Sequence, residues 1–245
     1  HELKLVQSVF AELCTTHQAA PRLMAGILVS AKTVQGIANK YPMRYPKPEV
    51  LPQLFEAATA EHTLNLAHLN THDVAGLVGQ CEQVMAAAGA NVHGFQLNIC
   101  WPDPVLIREL RDRHPHLHLL LQVGGRALAA VEHCGDQLLE RLALYGDCLD
   151  EVLLDPSGGK GIPFDAEMLA PLVQALTAEG RLGVGVAGGL SSSTISLVAP
   201  LIPHCSYLSV DVEGRVRDPQ TDQLLLSEVE AYLRAAFDLF YPLTS

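Results

Sequence analysis

Seven short apolar runs separated by longer amphipathic stretches constrain this chain more than any other feature. They are Leu23–Ser30, His62–Leu69, Val92–Asn98, Leu117–Val123, Glu151–Asp155, Arg181–Ala187 and Tyr207–Val212. Parallel strands buried under helices read as continuous apolar runs of this kind, and their alternation with helical segments is the pattern of repeated βαβ units. The intervening segments carry helix signals. Pro48 opens Glu49–Thr59, and a Thr-His-Asp stretch precedes and caps Asp73–Ala88. Asp103–His114 follows Trp101-Pro102, and Ala127–Tyr145, Phe164–Glu179, Ser191–Leu201 and Leu224–Phe237 complete the set. The predicted fold class is α/β, a (β/α)8 TIM-type barrel formed by residues 1–245 as a single domain. Its first strand has one candidate, Leu3–Phe10 (LKLVQSVF), which reads equally as a strand or as the opening of a helix running to Gln18. If it is a helix, the barrel is open or permuted.

A chain of 245 residues suits one barrel and a substantial core. Its 49% hydrophobic and 18% charged residues are those of a globular protein, not a disordered one. A formal net charge of -11 repels nucleic-acid phosphates, so no nucleic-acid partner is expected. One small phosphorylated ligand stays compatible, because backbone N–H groups at a helix start suffice to hold it. No apolar run is long enough for a membrane span, and the first ten residues lack the features of a signal peptide. Six cysteines without a C-x-x-C pair read as reduced, mostly buried thiols in a cytoplasmic protein.

Several residues sit where a parallel barrel places chemistry, at the C-terminal ends of strands. Asp155 ends its strand, and as a proton donor near neutral pH it needs a pKa raised by burial; the structural alternative is an Asp that braces the following Gly-rich turn. Gly188 and Gly189 follow a strand and precede Ser191-Ser192-Ser193. Glycines let backbone N–H groups approach a phosphate, and Ser191 can cap the next helix and donate a hydroxyl; the alternative is a tight turn. Gly158, Gly159 and Gly161 predict a loop over the barrel mouth. Arg44, in a Pro-rich loop, has the geometry to grip a carboxylate or to stay on the surface. His68 ends a strand beside Asp155 and Asp211, a set that could hold a metal, although no second strand-end His accompanies it. His114, His116 and His118 read as surface residues of the opposite rim. No strand interior carries a Lys, which counts against a Schiff-base aldolase.

The stretch Leu153-Leu154-Asp155-Pro156-Ser157-Gly158-Gly159-Lys160-Gly161-Ile162-Pro163-Phe164-Asp165 resembles the sixth strand and following loop of the phosphoribosylanthranilate isomerase family. Val184 to Leu190 is similar to that family's seventh strand and Gly-Gly-Leu phosphate loop, and Tyr207 to Val212 to its eighth strand. Gly94 to Asn98 looks like the fourth strand, and Met43 to Glu49 like the loop after the second. The resemblance implies an Amadori rearrangement in which an aminoaldose ring opens and the adjacent carbon loses a proton, with no metal and no cofactor. It implies Asp155 as general acid; Gly159, Gly188, Gly189, Ser191 and Asp211 at the substrate; and Arg44 on a substrate carboxylate. The family's general base is a first-strand Cys, where this chain offers Gln7 and Ser8. Its eighth strand runs into Ser-Ser-Gly, where this chain has Glu213-Gly214-Arg215, a carboxylate that repels phosphate unless it points away or pairs with Arg215 or Arg217. Its fourth-strand His is Asn98 here. The sequence therefore leaves three readings: an isomerase of a small phosphorylated sugar derivative, a phosphate-ligand-binding barrel without isomerase activity, and a metal-dependent sugar-phosphate epimerase or lyase. An exposed apolar patch beside a missing first strand would favour a homodimer.

Overall fold

A computed structural model of the chain describes residues 2–57, 60–158 and 162–243. Seven parallel strands lie in sequential order in one sheet: β1 (Leu23–Ser30), β2 (Thr63–Asn70), β3 (Gly94–Asn98), β4 (His118–Gly124), β5 (Glu151–Asp155), β6 (Gly183–Val186) and β7 (Ser209–Val210). Each predicted apolar run became one of these strands. Helices alternate with them: α1 (Glu2–Thr16), a short α2 (Ala31–Val34), α3 (Leu51–Ala57), α4 (Leu77–Ala88), α5 (Pro104–Arg113), α6 (Gly125–Ala130), α7 (Gly135–Ala143), α8 (Ala166–Glu179) and α9 (Leu226–Phe240). The predicted helix over 127–145 is divided into α6 and α7, because Glu132 and His133 both adopt left-handed backbone angles. The segment after β6 is a 3-10 helix, Ile195–His204, since Pro200 and Pro203 lack the N–H that an α-helix needs there.

The strands alternate as a sheet covered on both faces must. Leu69, Phe95, Leu121, Leu154 and Val186 point outward into the core under the helices. Leu64 and Leu66 of β2 pack with Leu120, Leu153 and Ala187 on the inner face, a contact among non-adjacent strands that only a curled sheet allows. This is the α/β barrel class, but among the described residues no ladder joins β7 to β1. Leu3–Phe10 is not the missing strand. It lies within α1, whose Phe10 and Leu13 are buried against Phe237 of α9, with the Phe10 and Phe237 rings edge to face at 5.4 Å. Helical spacing puts Val6, Phe10 and Leu13 on one face, and burying a ring such as Phe10 contributes about 2–3 kcal/mol. Gln7 Nε2 donates to Thr63 Oγ1 (3.3 Å), so α1 sits near the N-terminal ends of the strands, away from the mouth. Among the described residues, no helix is long and apolar enough to cross a membrane.

Candidate functional site

Above the inner apolar layer, the strands turn polar side chains into the barrel. His68, Gln96, Gln122 and Asp155 are all buried, and Asp211 follows β7 from the far side. Asp155 is held firmly: Oδ2 accepts from Gln122 Nε2 (2.8 Å), and Oδ1 accepts from Ser157 N (3.2 Å), Ser157 Oγ (2.8 Å) and Gly158 N (3.1 Å). All four contacts use it as an acceptor, so bracing of the turn, one of the two roles its position suggests, is present in the structure. Gln122 Oε1 in turn accepts from Gln96 Nε2 at 3.0 Å. A chain of two amides thus runs from Asp155 across the interior toward Asp211.

Asp211 has a raised proton affinity. Burial pushes its pKa up to about 7, and the nearby charges of Glu213 and Asp155 add to that effect; hydrogen bonds from the Val212 backbone and Gln96 only partly offset it. His68 goes the other way: burial lowers its pKa against the opposing pull of Glu213, Asp155 and a hydrogen bond with Gln122, so the ring is neutral near pH 7. Its Nε2 lies 3.4 Å from Asn98 Nδ2. Among the described residues, no three His, Cys, Asp or Glu side chains gather as a set able to hold a metal.

Arg44 does not stand free in its loop. Its Nε and Nη2 donate to the two oxygens of Asp222 at 3.0 and 2.5 Å, and Nη1 donates to Glu213 Oε1 at 2.9 Å. This clasp ties the loop after β1 to the segment after β7, spanning the gap where an eighth strand would close the barrel. It also answers the problem of Glu213, whose partner is Arg44 and not Arg215 or Arg217. An incoming carboxylate would compete with Asp222 and Glu213 for Arg44.

Gly188 and Gly189 have positive φ, 119° and 65°, which favour glycine. A Cβ on Gly189 would stand 2.6 Å from the Ile162 carbonyl oxygen, and one on Gly188 3.7 Å from Asp155 Oδ1. The loop therefore lies beside Asp155. Ser191 is not the predicted helix cap: the 3-10 helix begins four residues later, and Ser191 Oγ bonds instead with Ser193 Oγ and Thr194 Oγ1, both at 3.0 Å. Those hydroxyls stay grouped after the glycine turn. Gly159, with Lys160 and Gly161, lies outside the described residues. Of the rim histidines, His118 is only partly exposed and pairs with Glu151 at 3.2 Å. Gln96 and Gln122 carry one sequence signal, a Gln at an inward position of an apolar parallel strand, and Asp222 carries none.

No protein-family model and no curated protein matches the chain. Among solved structures, it is similar to phosphoribosyl anthranilate isomerase from Thermococcus kodakaraensis, with TM-score 0.56, 17% identity, and 92% of this chain and 93% of that one covered. A phosphoribosyl anthranilate isomerase in complex with reduced 1-(o-carboxyphenylamino)-1-deoxyribulose 5-phosphate gives TM-score 0.55 and 16% identity over 94% and 93%. A Rubisco-like protein from Rhodopseudomonas palustris gives TM-score 0.54 and 14% identity over 96% of this chain and 69% of that one. At these identities the likeness is one of fold: a TIM-type barrel, distantly like that of the phosphoribosylanthranilate isomerases.

Proposed function

We propose that this protein is a divergent phosphoribosylanthranilate-isomerase-like barrel that isomerises a small phosphorylated sugar derivative by acid/base catalysis. The observation that carries this reading is the convergence of Asp155 and Asp211 at the strand ends, with Asp211 titrating near about 7. A group with a pKa near the working pH can give a proton and take one back. In the proposed sequence, the Asp211 carboxylic acid protonates the ring oxygen as the nitrogen lone pair opens the ring to an iminium. The Asp211 carboxylate then removes the proton from the adjacent carbon, and the enamine that forms tautomerises to the amino-ketose. One carboxyl thus serves in both steps, which removes the need for a first-strand Cys. Asp155 acts here through position: it holds the 155–158 turn and the amide chain that reaches Asp211. The Gly188-Gly189 turn and the hydroxyls of Ser191, Ser193 and Thr194 would face the phosphate.

Steady-state turnover of phosphoribosylanthranilate tests this reading. Wild-type turnover that falls at least about 100-fold in Asp211→Asn supports it, that being the usual scale of a general acid–base contribution; an unchanged rate removes Asp211 from the chemistry. The capture of Arg44 by Asp222 and Glu213 favours a second reading, a phosphate-ligand-binding barrel without isomerase activity, which wild-type protein with no turnover but measurable phosphate binding would support.

A further inference from the structure

Gln96 is 1% exposed, yet its Oε1 has no hydrogen-bond partner among the described residues. A buried amide oxygen without a donor costs free energy, so it calls for an occupant. Reversing the amide does not remove the problem. Asp155 accepts from Gln122 Nε2, which turns Gln122 Oε1 toward Gln96 and requires Gln96 to present its NH2 there. A reversed Gln96 would set two carbonyl oxygens against each other. The orphan Oε1 instead points at β1, where a Cβ on Gly26 would stand 3.9 Å from it.

Gly26 faces the barrel interior and is nevertheless exposed, as is Ser209 on the opposite edge strand, β7. On the same inner face, Gly185 contributes no side chain, and a Cβ there would lie 3.5 Å from Ser209 Cβ. The unclosed seam between β7 and β1 is thus lined by Gly26, Gly185 and Ser209 with the Met24 side chain beside Gly26, is exposed at Gly26 and Ser209, and ends on a buried, unpartnered acceptor with Asp211 next to it.

We propose that this seam is a subsite for a hydroxyl-bearing ligand, with Gln96 Oε1 accepting from a sugar-type O–H that enters beside Gly26. The inference rests on the sugar-isomerase reading and adds to it the group that reads the substrate's hydroxyl. The acceptors along the seam suit a polyol and would leave an apolar ligand with unpaired polar atoms facing it.

Gly26→Ser tests the idea. Gly26 has ordinary φ, and the added Cβ meets only ordinary contacts, Met24 Cε at 3.8 Å and Gln96 Oε1 at 3.9 Å. The serine hydroxyl can then donate to Gln96 Oε1 in the ligand's place. The expected result is a higher melting temperature than wild type, together with at least a tenfold loss of affinity for ribose in calorimetric or NMR titration. In the wild type, the Gln96 side-chain NH2 resonances should shift on adding ribose; in Gly26→Ser they should not. Gln96→Leu, with the acceptor gone, should lose ribose in the same way. Ribose that binds wild type and Gly26→Ser alike, or leaves the Gln96 resonances unmoved at the highest concentration reached, overturns the proposal. Inorganic phosphate is titrated separately. Its failure to bind would count against the phosphate loop, and hence the sugar-phosphate reading, while the ribose result still decides the seam.

Discussion

Asp211→Asn should make the protein more stable at pH 8 while removing the proposed isomerase activity. The folded protein holds the Asp211 proton to about pH 7, whereas an unfolded chain releases it near about 3.9. Between those values the native state binds more protons than the unfolded one, so stability falls as pH rises from about 4 to about 7. A gap of about three units corresponds to about 4 kcal/mol at 1.36 kcal/mol per unit. Asp211 is partly exposed and Arg44 partly neutralises Glu213, so about 2–4 kcal/mol is the working range. An asparagine keeps an oxygen for the Val212 backbone N–H and carries no charge to desolvate. Thermal melts at pH 8 should therefore place the variant roughly 4–16 °C above wild type, with the difference nearly gone at pH 4. A variant equal to or below wild type at pH 8, or a gain that does not depend on pH, would refute the assignment of a raised pKa to Asp211.

Other substitutions probe the surroundings. Arg44→Ala leaves Asp222 and Glu213 unpaired and should cost about 1–2 kcal/mol in urea unfolding, since the pair is only partly buried. The same variant should move the Asp211 titration upward, because Glu213 then acts on it without its counter-charge; NMR titration of the carboxyl reads this directly. Gly189→Ala must fit a Cβ against the Ile162 carbonyl at positive φ and should lower stability by about 1–3 kcal/mol in thermal melts. Asp155→Asn weakens the bonds that hold the 155–158 turn and should cost about 1–2 kcal/mol, so a turnover loss in that variant has to be read beside its melting curve.

The strands were legible because burial on both faces of a parallel sheet leaves a local mark, an apolar run bounded by helix starts. Asp155 was legible as well, because a polar residue closing such a run lies at the mouth. The nature of α1 was not. Leu3–Phe10 contains both a two-residue and a three-to-four-residue apolar spacing, and Phe237, more than two hundred residues away, decides between them by covering Phe10. Nor could local sequence reveal that Arg44 and Asp222, 178 positions apart, would meet across an open seam. The proton affinity of Asp211 depends on burial together with a neighbour two positions on, Glu213, and a distant carboxylate, Asp155, so burial and the Asp155 contribution come only with the assembled barrel. Gln96 and Gln122 mark their apolar strands only as single polar residues, and their meaning comes from which way each amide must turn once Asp155 is in place.

The decisive measurement is the pH dependence of kcat/KM for phosphoribosylanthranilate. Measurable turnover with an apparent pKa of about 7 is expected, a feature that disappears with the activity in Asp211→Asn. Turnover that is flat across pH 6–8, or that survives in Asp211→Asn, would contradict it.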